Sequence, residues 1–136
     1  MALPSPVCVV PWRCRVPYRE LMPYLRDRPA RLAVELVRHG ARFVIVGGTA
    51  HRLLTGQGTP RDLDVVVDTP DLPRFVAALA MVGVHSSVAV LSRAAPSHVD
   101  TSWGPLDVFV GTRPSCRDVL FKESRLVVVL PASAAA

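Results

Sequence analysis

Short apolar runs alternate along the chain with longer segments in which apolar residues recur at helical spacing. The runs are rich in Val and other residues that pack well on the pleated surface of a sheet. Most of them are bounded by Gly, Pro, Asp or Thr, which is typical of strands that end in turns. We predict strands at 43–46, 63–67, 84–91, 98–101, 106–110 and 126–130.

Two segments have the spacing of amphipathic helices. The first begins at Pro29, whose fixed φ suits a first turn, and ends at Gly40, which suits a left-handed cap. Between them, apolar residues recur at i, i+1, i+4 and i+5 from Leu32 and share one face. The second helix is predicted within 69–83, where Thr and Pro open the segment and Gly closes it. Shorter helical turns are predicted at 49–54 and 118–121.

This mixed order of strands and helices predicts an α+β fold with one sheet covered by helices on one face. Residues 30–130 form the predicted domain. Residues 1–29 hold six of the 13 prolines, and proline disfavours helix at its own position and the one before it. We therefore predict an extended Pro- and Arg-rich N-terminal arm at 1–29 and a frayed tail at 131–136.

Composition narrows the class of protein. The chain has 136 residues, 50% of them hydrophobic, which suits one domain with a modest core and excludes a disordered chain. No apolar run approaches the roughly 18 residues that a membrane helix requires. The N-terminus also lacks the basic-then-apolar order of a signal peptide, so we predict a cytoplasmic protein with no membrane partner. The three Cys have no CxxC spacing, which favours reduced, inert thiols.

The positive charge is concentrated at the start of the chain. The formal net charge is +5, and residues 1–40 carry +4 of it through seven Arg against three acidic residues. A basic segment favours contact with nucleic acid, but a solvated tail has the same composition. Both interpretations of the arm stay open.

Two aspartates at the start of a predicted strand carry the first chemical signal. Asp62 and Asp64 alternate with apolar residues, so their side chains share one face about 7 Å apart. Two neighbouring carboxylates repel each other unless a positive charge compensates them. A hard divalent cation such as Mg²⁺ does so, because it takes carboxylate, phosphate and water oxygens as ligands. The pair therefore indicates a metal site.

A glycine pair precedes the aspartates at the end of another predicted strand. Gly47 and Gly48 separate this strand from a helical turn, and glycine lets a phosphate approach the backbone N–H groups at a helix start. The hydroxyl of Thr49 is a further candidate donor to the same phosphate. A phosphate cradle beside a carboxylate pair indicates a nucleotide–metal site.

Asp107 is the candidate third carboxylate. It lies within the apolar run 106–110, where a lone acid is out of place unless it serves a ligand. If this strand runs beside 63–67, the three acids converge, and three carboxylates can hold two Mg²⁺ ions for phosphoryl displacement.

These residues resemble the nucleotidyltransferases of the DNA polymerase β superfamily. The shared pattern is Gly-Gly, a spacer of thirteen residues, Asp-x-Asp between apolar runs, and a later Asp on a neighbouring strand. The resemblance covers roughly residues 30–130 and is closest to small bacterial nucleotidyltransferase-like proteins, including toxin–antitoxin components. It implies the nucleotidyltransferase fold, a mixed sheet with helices mainly on one face.

The resemblance also implies roles for the site residues. Gly47 and Gly48 would contact the triphosphate of the donor nucleotide. Asp62 and Asp64 would bind both metal ions, and Asp107 would bind the catalytic one and help to deprotonate the acceptor hydroxyl. The implied activity is Mg²⁺-dependent transfer of a nucleoside monophosphate from a nucleoside triphosphate to a hydroxyl of tRNA or another RNA, a protein or a small molecule. A cognate toxin or antitoxin protein is a further implied partner.

Two departures from the family keep a second function class open. Many relatives have Thr two residues before the first Asp, where this chain has Pro60, and many continue beyond the last strand, whereas this sequence stops at Ala136. The alternative is a non-catalytic nucleotidyltransferase-like module that binds a partner or acts as an antitoxin. A dinucleotide-binding oxidoreductase is disfavoured, since Gly47-Gly48 does not continue as GxGxxG.

The remaining polar and aromatic residues have simpler interpretations. The four His share no metal-ligand spacing, and we interpret them as a cap residue, a surface residue and two strand residues. Arg52 and Arg61 suit phosphate neutralisation, although solvated surface arginines are the simpler alternative. Trp12 and Trp103 are interpreted as packing anchors in preference to base-stacking platforms.

Overall fold

The computed structural model describes residues 23–111 in full and the backbone of three strand segments, 8–10, 13–17 and 126–130. Strands and helices follow one another along the chain. In chain order the elements are β1 (Cys8–Val10), β2 (Arg13–Pro17), α1 (Arg28–Arg38), β3 (Val44–Val46), α2 (Gly47–Thr55), β4 (Leu63–Val67), a 3-10 turn (Thr69–Asp71), α3 (Leu72–Met81), α4 (Val88–Leu91), β5 (Ser97–Thr101), β6 (Gly104–Val110) and β7 (Leu126–Leu130).

The strands form one mixed sheet in the order β1-β2-β7-β3-β4-β6-β5. β4 pairs with β6 in parallel, whereas β3 pairs with β4 and β5 with β6 in antiparallel fashion. Strands β1 and β2 come from residues 1–29, the predicted extended arm, and β2 joins the sheet through β7. The α+β class predicted from the sequence is confirmed.

The main core lies on one face of the sheet. Alternate residues of β4 and β6 point into it, and the buried residues of α1, α2 and α3 belong to the same apolar cluster. The largest fully buried side chains include Leu32, Leu36, Phe75 and Leu79, all from helices. A small separate cluster, centred on Val46 and Val66, lies on the opposite face. The helices therefore cover mainly one face, and the other face is available to polar side chains.

Helix α1 shows how the sequence produces this packing. Its buried residues occupy the predicted apolar face, and Pro29 lies in the first turn. The exposed face carries Arg31, which donates a hydrogen bond to Glu35 over 3.2 Å. Beyond the helix, Gly40 adopts a φ of 89°, a left-handed conformation that favours glycine. The helix therefore ends near the residue that its composition predicts.

The strand predicted at 84–91 is wrong. Residues 88–91 form the single helical turn α4, and Ser87 at its N-cap accepts a hydrogen bond of 3.1 Å from the backbone N–H of Val90. In a strand, the N–H of Val90 would need a partner on a neighbouring strand, whereas the Ser87 cap supplies one within the turn. Leu91 is fully buried in the core, whereas Val88 and Val90 are exposed. The apolar run thus contributes one anchor to the core.

Other predicted boundaries agree closely with the structure. The strands at 63–67 and 126–130 are confirmed without a shift, and the helical turn at 49–54 is part of α2. The helical turn predicted at 118–121 and the tail at 131–136 lie outside the described residues. Among residues that the structure describes, no helix is long and apolar enough to cross a membrane.

Replacing Phe75 by Ala tests the helix-covered core. Phe75 is fully buried and packs edge-to-face on Phe43 with ring centroids 5.8 Å apart. We expect Phe75→Ala to lower the free energy of unfolding by about 3–5 kcal/mol, through lost burial and the cavity left behind. Met81 ends the same helix but is 66% exposed, so Met81→Ala should change it by less than about 0.5 kcal/mol. Chemical denaturation measures both, and equal losses would contradict the assigned core.

Candidate active site

Asp64 and Asp107 are neighbours on adjacent strands. The register of the parallel pair β4–β6 sets Asp64 directly beside Asp107. Neighbouring strands of a sheet lie about 4.8 Å apart, so the two side chains leave the backbone close together. The flanking residues Leu63 and Leu106 point into the main core, which leaves both aspartates on the opposite face. The strands that carry Asp64 and Asp107 therefore run side by side, which is the arrangement that convergence of the predicted acids requires.

The turn at Gly47 lies against the Asp64 carboxylate. β3 ends at Val46, which pairs with Asp64, and α2 begins at the next residue. Gly47 has a φ of 71°, and a Cβ built on it would lie 2.6 Å from Oδ2 of Asp64. Any other residue would be strained by this conformation and would displace the carboxylate. The close approach of this turn to Asp64 therefore requires glycine at position 47.

The start of α2 carries features that suit an anion. Gly48 is exposed, and the N-cap residue Val46 has no side-chain oxygen to satisfy the first N–H groups of the helix. The helix dipole adds positive potential at this end. The segment in which a phosphate cradle is predicted, Gly47-Gly48, thus lies beside Asp64.

Thr49 has a contact that the sequence did not reveal. Its side chain is 1% exposed, and Oγ1 donates a hydrogen bond of 2.8 Å to the backbone carbonyl of Asp62. A hydroxyl has one proton, so this contact competes with the predicted donation to a phosphate. The bond ties the first turn of α2 to the segment just before β4. Thr49 therefore holds the two halves of the motif together.

Asp62 stands apart from the other two acids. It lies one residue before β4, and its side chain is exposed, whereas those of Asp64 and Asp107 are half-buried. Within residues 23–111, no three His, Cys, Asp or Glu side chains are arranged to hold a metal ion. The structure thus brings Asp64 and Asp107 together and leaves Asp62 in the adjoining exposed segment.

His98 is a site residue that the sequence interpretation missed. β5 and β6 form a hairpin whose register sets His98 beside Asp107, and Nδ1 of the imidazole pairs with Oδ1 of the carboxylate. The His98 side chain is 78% exposed, against 15% for Asp107. The signal was present in the sequence: a tight turn at 102–103 makes positions equally distant from it face each other. Counting outward from that turn pairs this histidine with this aspartate.

The acidic pair has the chemistry of a cation site. Oδ1 of Asp107 is buried, and the partner that the structure gives it is the exposed imidazole of His98. A buried carboxylate oxygen needs such a donor or a positive charge beside it. The neighbouring Asp64 carboxylate offers further oxygen ligands, which are those that Mg²⁺ prefers. The residues present therefore fit a divalent cation.

Arg52 does not belong to this site. Its Nε donates a hydrogen bond of 3.0 Å to Asp27, its Nη1 bonds the carbonyl of Gly56, and its guanidinium stacks on Tyr24. These contacts join the start of α1 to the end of α2. The side chain is a structural link between two helices, and the phosphate role considered for it has no support in this geometry.

Comparison with known proteins leaves the site to be interpreted on its own geometry. No protein-family model, no curated protein and no solved structure matches this chain. The resemblance to polymerase β-type nucleotidyltransferases accordingly stays a prediction that rests on the motif residues.

Replacing Gly47 by Ala tests the close approach of the turn to Asp64. Gly40 supplies a matched control, because its φ is 89° and no atom lies within 4 Å of an added Cβ. Gly40→Ala should cost only the backbone strain, about 1–2 kcal/mol of unfolding free energy. Gly47→Ala should cost at least about 1 kcal/mol more, because the methyl group also clashes with the carboxylate. Equal losses in urea denaturation would show that Gly47 is not pressed against Asp64.

Replacing Thr49 by Val tests the link between α2 and the Asp62 segment. The change keeps the shape of the side chain but leaves the carbonyl of Asp62 without its donor, so we expect a loss of about 1–2 kcal/mol. Thr55 is the control, since its hydroxyl donates to the carbonyl of His51 and accepts from the N–H of Gln57 at an exposed position, where water can replace both partners. Thr55→Val should cost less than about 0.5 kcal/mol by the same measurement. A smaller loss at Thr49 than at Thr55 would contradict the proposed link.

Proposed function

We propose that the chain is a Mg²⁺-dependent nucleotidyltransferase that moves a nucleoside monophosphate from a nucleoside triphosphate to an acceptor hydroxyl. One observation carries the proposal: Asp64 and Asp107 share a register position on parallel strands, and the Gly47 turn lies against Asp64. A carboxylate pair beside an uncapped helix start suits a metal–triphosphate ligand, because one part holds the cation and the other faces the phosphates. The nucleotidyltransferase fold is part of this proposal.

In the proposed reaction, the acceptor oxygen bonds to the α-phosphorus as the bond from that phosphorus to the bridging oxygen breaks. Pyrophosphate leaves with the electron pair of the broken bond. Asp107 accepts the proton of the acceptor hydroxyl, and the backbone at Gly47 and Gly48 orients the triphosphate. Positioning of the reactants supplies much of the catalysis in reactions of this kind.

Asp64 and Asp107 would hold the cation, with Asp62 joining from the exposed segment before β4. A bound Mg²⁺ supplies neutralisation of phosphate charge and polarisation of the phosphoryl oxygens. The support for Asp107 as a ligand is its buried Oδ1, which the structure pairs with the exposed imidazole of His98. A cation at this oxygen would take the place of the imidazole.

Removing either central carboxylate tests the proposed activity. Incubation of the purified full chain with labelled nucleoside triphosphates, Mg²⁺ and total tRNA should give labelled product, and EDTA should abolish it. Asp64→Asn and Asp107→Asn should each lower transfer by about 100-fold or more, because a neutral amide is a poor ligand for Mg²⁺. Asp71→Asn is the control, since Asp71 lies in the 3-10 turn beyond the opposite end of β4, and its transfer should stay within about twofold of the unmodified chain.

A binding measurement separates catalysis from mere recognition. Calorimetry should show triphosphate binding that needs Mg²⁺ and is lost in Asp64→Asn. Transfer that survives in both Asn variants would overturn the proposal. Metal-dependent binding with no transfer to RNA, protein or small-molecule acceptors would overturn the catalytic part and favour the non-catalytic module.

A further inference from the structure

A groove opens between the start of α1 and the β5–β6 hairpin. Its volume is about 320 Å³, which lies at the lower end of the range for small-molecule pockets and suits one nucleotide unit. Prolines, one tryptophan and two arginines dominate its lining. The lining residues are Arg28, Pro29, Pro60, Arg61, Trp103, Gly104 and Pro105.

The two arginines of this groove are available to an anion. Arg28 and Arg61 are both exposed, and neither pairs with a carboxylate in the part of the chain that the structure describes. A larger hollow nearby, of about 700 Å³, is also lined by arginines. There, however, two of the three arginines are already paired, Arg31 with Glu35 over 3.2 Å and Arg52 with Asp27 over 3.0 Å. The two arginines of the smaller groove are therefore the better candidates for binding a phosphate.

The apolar part of the groove suits a flat ring. Trp103 is half-buried and packs against the main core, so its indole is held in place from behind. The three prolines of the lining add rigid apolar surface around it. Nucleic-acid bases stack on surfaces of this kind, and arginines beside them take the phosphates of the backbone.

The groove adjoins the start of α2 and the segment that carries Asp62. Pro60 lies 3.6 Å from a Cβ built on Gly48, which belongs to the predicted phosphate cradle. Arg61 directly precedes Asp62, and Pro105 precedes Asp107 by two residues on the same strand and therefore on the same face. A chain that ends in the groove would thus present its terminus beside the carboxylates.

We propose that this groove binds the 3′ end of a single-stranded nucleic acid, with a base against Trp103 and phosphates at Arg28 and Arg61. As the acceptor subsite it rests on the proposed transferase function, since the terminal hydroxyl would receive the nucleotide. The binding itself does not need catalysis. It is therefore measurable in the Asp64→Asn variant, in which no transfer is expected.

Fluorescence anisotropy with a 5′-labelled single-stranded 12-mer, as RNA and as DNA, tests the groove. In the Asp64→Asn background, Arg28→Gln with Arg61→Gln should weaken binding by about 10-fold or more. The slope of log K against log salt should fall by about 1.4, because two phosphate contacts are lost. Arg42→Gln with Arg74→Gln is the matched control, since it removes the same charge from exposed arginines outside the groove and should weaken binding less than about threefold.

Tryptophan fluorescence locates the base. The chain has two Trp, so Trp12→Phe leaves Trp103 as the only reporter, and its emission should be quenched by the linear 12-mer. A circular oligonucleotide of the same sequence has no 3′ end and should not quench it. Preference between RNA and DNA then identifies the source of the terminus.

Three results would overturn the groove proposal. These are equal weakening by the control pair, an unquenched Trp103, and full displacement of the 12-mer by heparin at equal phosphate or sulfate concentration. The two proposals fail separately. Quenching of Trp103 without any transfer would refute the transferase function and support the binding groove. Mg²⁺-dependent transfer that the Arg28→Gln, Arg61→Gln variant retains would refute the groove and support the transferase function.

Discussion

The register in which β4 pairs with β6 positions both the core residues and the two aspartates of the candidate site. That register sets Leu63 beside Leu106 on the helix-covered face and Asp64 beside Asp107 on the other. A slip of one residue would turn the aspartates into the apolar core, at a cost of several kcal/mol for each buried charge. Burial of the leucines therefore fixes the position of the carboxylates. The same pairing that stabilises the fold assembles the candidate site.

The site is completed by segments that meet β4 and β6 at this end of the sheet. The turn at Gly47 closes on Asp64, and the hydroxyl of Thr49 ties α2 to the residue that precedes β4. The hairpin carrying Trp103 brings the apolar groove to the same place. Pro60 lines this groove and lies 3.6 Å from a Cβ built on Gly48, so the groove and the start of α2 are neighbours.

Much of this arrangement follows from local pattern. The strands at 63–67 and 106–110 are predicted correctly because β-branched and apolar residues run between strong turn signals, and Asp107 stands out against such a run. The same rule predicts the run at 84–91 wrongly, because Ser87 caps a helical turn there and only Leu91 of the run is buried in the core. Composition alone does not distinguish these cases, because a short apolar run suits a strand or a buried turn equally well.

Residue type and spacing within short segments suffice to predict the α+β class, the main helices and the motif of Gly47, Gly48, Asp62, Asp64 and Asp107. The partners that these residues meet depend on the tertiary structure. It left Asp62 outside the pair, set His98 against Asp107, and assigned the Thr49 hydroxyl to a backbone carbonyl. These contacts join residues that are distant in the chain. Strand order and register create them, and of these only the register of the β5–β6 hairpin, which brings His98 to Asp107, can be counted from a local turn.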